Sequence, residues 1–198
     1  MLKKILIAFL ALFILMSAVN TIDSSNWTTA EVGYETFKVP PKFENPYKSD
    51  FDIYEYDEDT HVFTVRYINP NLETLYGYFI EKYPEKKVKV SGHDAVHITF
   101  YDRYDDKNYS ILWFSAGEEF YYIEWEGFNI TPTIKEVVKS FSKSDYSHKE
   151  FYKTLKEFYN QHRLEEAMES QGYSYPSDKS SHTFVSVGTN GFGVGKIY

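Results

Sequence analysis

Two neighbouring stretches in the middle of the chain restrict its fold more than any other feature. In Tyr109–Ala116, the side chains Tyr109, Ile111 and Trp113 alternate with Leu112 and Phe114. In Glu119–Glu126, Phe120 and Tyr122 alternate with Tyr121, Ile123 and Trp125. Successive side chains of a strand point to opposite faces of its sheet, so both faces of this hairpin are apolar. Two outcomes follow. Either other elements cover both faces, with the third helix of the chain as the cover, or one face exposes a Tyr/Trp platform. On the second outcome Tyr109, Trp113, Phe120 and Tyr122 are the ligand-binding residues, suited to stacking on sugar rings or on a partner protein.

The rest of the chain supplies elements to build such a sheet. Tyr34–Val39 reads as a strand stopped by Pro40-Pro41, because proline cannot continue a ladder. Phe51–Tyr56 and His61–Ile68 follow, joined through the acidic turn Asp57–Thr60. Asn69 then serves as an N-cap with Pro70 at the first helical position, and Leu72, Leu75, Tyr76, Phe79 and Tyr83 recur at helical spacing up to Pro84. Gly77 lies inside that helix, at a cost of about 1 kcal/mol relative to alanine. Further strands are Lys87–Tyr101, broken at Ser91-Gly92, then Tyr109–Ala116 and Glu119–Glu126, with turns at Asp105–Asn108 and Gly117-Glu118.

A second helix opens at Thr131-Pro132, with Ile134, Val137, Val138 and Phe141 on one face. A third begins at a capping box, Ser147–Glu150, and carries Phe151, Tyr152, Leu155, Phe158, Tyr159 and Met168 as its stripe. The expectation is an α+β fold: an antiparallel sheet flanked by helices, in the order β-β-β-α-β-β-β-α over residues 31–144. An amphipathic helix (145–172) and a Ser/Gly-rich tail (173–198) complete the chain, with one possible strand at Thr183–Val187.

Residues 1–22 are an address. Lys3 and Lys4 precede an unbroken apolar run, Ile5–Met16, which has the length of a signal peptide and is short for a spanning helix. It is either a cleaved signal or an uncleaved anchor, and on both readings the remainder is exported. Residues 23–30, polar and rich in Ser and Thr, read as a linker. The chain has no cysteine, which excludes disulfides, thiolate metal sites and a lipoprotein anchor. A net charge of −8 with Arg66, Arg103 and Arg163 scattered argues against nucleic acid as a partner.

The order of elements, the Pro-terminated strand Tyr34–Pro40 and the Gly-x-x-Ala strand start Gly92–Ala95 resemble the PsbP/Mog1-like α/β sandwich. The chain is also similar to small secreted proteins of unknown function from methanogenic archaea. The resemblance covers residues 31–144. It implies a binding or assembly factor rather than an enzyme, and it transfers no functional residue.

Motifs that carry chemistry are weak. His93 and His97 have zinc-motif spacing, but on a strand residues four apart sit about 13 Å from each other, so they are expected to be half-exposed strand histidines. Asp50, Asp52, Glu55, Asp57, Glu58 and Asp59 concentrate acid without the glycine of a calcium loop, and they read as a solvated edge strand. Asp102, Asp105 and Asp106 could join them only if the two hairpins met. Gly191–Lys196 lacks the spacing of a phosphate loop and belongs to the tail. Glu118/Glu119 and Glu124/Glu126 make no glycosidase pair, and no Gly-x-Ser-x-Gly elbow occurs. Asn26, Asn108 and Asn129 head N-glycosylation sequons in expected surface segments.

No catalytic residue, metal site or cofactor is expected. The reading is an exported, non-catalytic binding or interaction module at the cell surface, its partner a cell-wall polymer or envelope protein. Membrane contact is expected only through residues 1–22. The alternatives are a secreted hydrolase with an unrecognised active site, and an anchored structural protein that self-associates through its C-terminal helix.

Overall fold

A computed structural model of the chain describes residues 22–58 and 61–170, together with the backbone of 183–188 and 191–196. The apolar segment 1–21 lies outside these residues, and no described helix is long and apolar enough to cross a membrane. The architecture is α+β, with a large antiparallel sheet and, among the described residues, three α-helices: α1 (Thr74–Lys82), α2 (Pro132–Ser140) and α3 (His148–Ser170).

Seven strands form the sheet. They are β3 (Lys48–Ser49), β4 (Ile53–Glu58), β5 (His61–Tyr67), β6 (Glu85–Val90), β7 (His93–Asp102), β8 (Lys107–Ala116) and β9 (Glu119–Glu126). Their spatial order is β3-β4-β5-β9-β8-β7-β6, every pair antiparallel. The two aromatic strands β8 and β9 are therefore central, which their two apolar faces require. The margins are charged. Lys86, Lys87 and Lys89 lie along β6, and Asp57 and Glu58 end β4 beyond the short β3, so neither edge invites pairing with another sheet.

Each face carries its own core. On one, Leu112, Phe114, Tyr121, Ile123 and Trp125 pack with Ile134, Val137 and Val138 of α2 and with Phe37 and Val39. The last two belong to a separate hairpin of β1 (Thr28–Val32) and β2 (Glu35–Val39). On the other, Trp113, Phe120 and Tyr122 pack with Tyr76 and Phe79 of α1 and Phe151, Leu155 and Phe158 of α3. Sheet and two covering layers make a sandwich, held without a disulfide.

Local chemistry sets the boundaries. The capping box forms: Ser147 N donates to Glu150 Oε2 at 2.9 Å and Glu150 N to Ser147 Oγ at 3.4 Å. Thr131 Oγ1 accepts from Ile134 N at 3.2 Å to start α2. Asn69 does cap, but what it caps is a single 3-10 turn, Pro70–Leu72, before α1 begins at Thr74. The stretch read as one broken strand from Lys87 is two strands, β6 and β7, joined by Ser91 (φ 50°) and Gly92 (φ 97°). Positive φ at both residues is what a two-residue type I′ hairpin demands.

Other boundaries move too. Thr28–Ala30, read as linker, belong to β1, and Trp27 just before them is buried. Its ring belongs to the core on the α2 face. The turn expected at Asp105–Asn108 lies at 103–106, with Lys107 and Asn108 already paired in β8. In the tail, β10 (Thr183–Gly188) pairs antiparallel with β11 (Gly191–Lys196), so Gly191–Lys196 is a strand. The rest of the segment 171–198 lies outside the described residues.

Candidate functional site

The Tyr/Trp platform does not exist as a surface. Tyr109, Trp113, Phe120 and Tyr122 are between 0% and 4% exposed. Tyr76 of α1 meets Trp113 edge-on at 5.4 Å. Phe151 of α3 stacks on Phe120 at 5.5 Å, and Phe158 meets the same ring at 5.1 Å. These four residues are corrected from ligand-binding surface to core. The physical reason is that the stripe of α3 needs an apolar surface as much as the sheet needs a lid.

Exposed aromatics collect elsewhere, at the end of the sheet where the β1–β2 hairpin meets β3 and β4. Tyr34 is 71% exposed and Phe51 55%. Their rings meet edge-to-face at 5.3 Å, and both lean on Tyr67, at 5.6 and 5.7 Å. Beside them a groove of about 530 Å³ runs between the hairpin and the sheet margin. Its walls include Val32, Phe51 and Tyr54, with Glu31, Glu44 and Asp50 as its charged groups. Among the described residues lining it there is no histidine, lysine or arginine. Such a groove offers an apolar wall, ring faces and hydrogen-bond acceptors.

Of the two outcomes left open by the sequence, the structure shows the covered face, with the third helix as its cover, and the exposed rings lie at positions the alternation of β8 and β9 does not reach. Tyr34 sits in the turn of the β1–β2 hairpin, and Phe51 enters just before β4. Only the packing of the hairpin on the sheet margin brings them together.

The acidic run does not converge. Asp50 Oδ2 pairs with Lys48 at 3.0 Å and its Oδ1 accepts from Asp52 N at 3.1 Å, while Asp52 Oδ2 accepts from Asn69 at 3.3 Å. Asp57 and Glu58 face solvent, and Asp59 lies outside the described residues. Asp102, Asp105 and Asp106 cannot contribute. They belong to the β7–β8 hairpin, and four strand spacings, roughly 19 Å, separate β4 from β7.

His93 and His97 are buried rather than half-exposed. His93 Nδ1 is 2.9 Å from the Ser115 carbonyl, and His97 Nε2 is 3.0 Å from Ser110 Oγ with its ring stacked on Trp125 at 5.7 Å. Burial pushes the His97 pKa down, which keeps the ring neutral. Both imidazoles face the core shared with α2 because they alternate with Val96 and Ile98, which face the helices. Of the sequon residues, Asn26 and Asn129 are exposed and Asn108 is half-buried in β8.

Two clusters escaped sequence reasoning. Arg66 on β5 and Glu124 on β9 are both buried on the face beneath α1 and α3. Their register partners are Tyr122 and Thr64, so they are diagonal neighbours, and Glu55 on β4 stands opposite Thr64. Burial pushes the Glu124 carboxyl up to about 8, with Arg66 pulling it down and Glu55 pushing it further up. Arg66 Nε and Trp113 Nε1 are buried without a hydrogen-bond partner. The second cluster joins the two helices: Glu81 of α1 with His162 and Glu166 of α3, whose ligand atoms lie within 4.8 Å of one another. The spacing His162-x-x-x-Glu166 was legible as one helix face, but the partner Glu81 lies more than 80 positions upstream.

No protein-family model matches the chain, and neither a curated protein nor a solved structure matches it.

Proposed function

We propose that the chain is an exported, non-catalytic binding module that holds a neutral or cationic surface glycan in the groove beside Phe51 and Tyr34. The observation that carries this reading is the pair of exposed, mutually braced rings above a groove lined by carboxylates and free of basic residues. Aromatic faces stack on the apolar faces of sugar rings, and carboxylates accept hydrogen bonds from hydroxyl or ammonium groups. Export rests on the basic and apolar start of the chain, Lys3 to Met16. Among the described residues, no histidine, lysine or arginine lines the groove, and the one cation that reaches its carboxylates, Lys48, is paired with Asp50 at 3.0 Å.

Retention of the full-length protein on purified cell wall and on purified membranes tests the reading. The wild type is expected in the wall fraction, and Phe51→Ala and Tyr34→Ala are expected to lose it. Each removal loses two edge-on ring contacts, worth about 0.5–1.5 kcal/mol apiece, so the variants are expected to remain folded, with circular dichroism matching the wild type. Equal retention of wild type and both variants, or retention on membranes alone, defeats the proposal.

A further inference from the structure

Helices α1 and α3 cross at a glycine. A Cβ placed on Gly77 would stand 2.4 Å from Cβ of His162 and 2.6 Å from its Cγ, so the α1 backbone lies directly against the imidazole. This close approach leaves His162 only 9% exposed. Its Nε2 is buried and has no hydrogen-bond partner, a state that costs about 1–3 kcal/mol unless something occupies the nitrogen.

What faces that nitrogen is specific. Glu81 Oε2 and Glu166 Oε1 each stand 3.5 Å from it. That is long for a hydrogen bond, which for N–H···O falls at about 2.7–3.2 Å. It is the right length for the edge of a tetrahedron. Ligands bound at about 2.0–2.2 Å to one zinc-like ion sit about 3.3–3.6 Å apart. The other oxygen of each carboxylate is taken, since Arg163 Nη1 donates to Glu81 Oε1 and to Glu166 Oε2 at 3.1 Å each. One guanidinium therefore turns both carboxylates so that their remaining oxygens face the imidazole, the part that outer-shell partners play around metal ligands.

We propose that Glu81, His162 and Glu166 form a site for one divalent transition-metal ion of the Zn²⁺ type, which clips α1 to α3. One imidazole and two carboxylates suit such ions. The fourth position opens to water, because the Glu166 and Arg163 side chains are 46% and 58% exposed. The site lies on the helix layer and is independent of the groove beside Phe51.

Titration of the full-length, untagged, metal-free protein in detergent with Zn²⁺ and, separately, Co²⁺ tests this. Calorimetry is expected to show one Zn²⁺ per chain, and Co²⁺ to give the strong visible absorption of a four-coordinate site. Glu166→Gln and Glu81→Gln keep side-chain shape and are each expected to abolish both signals with the circular dichroism unchanged. Arg163→Gln should weaken Zn²⁺ binding about 10–100-fold. Ca²⁺, which prefers six to eight oxygens, should give no heat. Absence of stoichiometric Zn²⁺ binding overturns the proposal. Binding that persists unchanged in both Gln variants overturns it as well.

Discussion

Replacing Glu124 by Gln probes the charge state of the most deeply placed carboxylate. Glu124 is 5% exposed, under α1 and α3, and its carboxyl is pushed up to about 8 mainly by burial. In the unfolded chain the same group titrates near 4.5. Between these values the folded protein holds a proton that the unfolded chain has released, so the stability tied to the protonated form is complete below about pH 4.5 and is lost as pH rises towards 8. At 1.36 kcal/mol per unit, the loss is about 5 kcal/mol across the window, of which about 3 kcal/mol has gone by pH 7. Arg66 needs one carboxylate charge nearby, and Glu55, closer to solvent, is the better placed to carry it.

Glutamine keeps the shape of the protonated acid and does not titrate. Urea unfolding followed by tryptophan fluorescence should find E124Q and wild type within about 1 kcal/mol of each other at pH 5. At pH 7 the variant should be more stable by about 3 kcal/mol, or roughly 6–12 °C in Tm. A variant that is less stable than wild type by a constant amount from pH 5 to 8 would refute the reasoning, since Glu124 would then be an ionised partner of Arg66 whose loss leaves a buried cation.

Gly77→Ala should destabilise the protein even though alanine favours a helix by about 1 kcal/mol. The clash is with Cβ of His162, which cannot swing away, and such overpacking costs about 1–3 kcal/mol or more. A rise in Tm would contradict the close crossing of α1 and α3. Ser147→Ala removes half of the capping box and should lower Tm by about 2–4 °C, for a loss near 1 kcal/mol. No change would mean that α3 starts elsewhere. A chain ending at Ser144 loses the cover over Phe120 and Trp113 and should bind a hydrophobic dye or precipitate. A soluble monomer with a cooperative thermal transition would contradict the role given to α3.

Much of the scaffold could be read along the chain because the signals are local. The alternation of Tyr109–Phe114 and Phe120–Trp125, the helical spacing of Ile134, Val137, Val138 and Phe141, and the Ser147–Glu150 box each act within a few residues. Each appears in the structure as β8, β9, α2 and the start of α3. The strand β1 was not legible, since Thr28 and Thr29 are polar and the strand is defined by its pairing with Phe37–Val39 and the buried Trp27 beside it. The groove residues Glu31, Glu44, Asp50 and Phe51 carry no shared pattern either.

The sequence by itself determined that this chain makes a sheet with two apolar faces, held by packing without disulfides, and left open whether both faces are covered. The structure covers both, because so much aromatic surface on both sides of β8 and β9 is costly to leave in water. Only the tertiary structure decided which face each helix takes, and so which aromatics remain outside. Tyr109, Trp113, Phe120 and Tyr122 went under α1 and α3, while Tyr34 and Phe51 stayed on the rim of a groove. Contacts across long stretches of chain also brought Glu81 to His162 and Arg66 to Glu124. Periodicity fixes which side of its own element a residue occupies, but the partner across a packed interface is set by how elements dock.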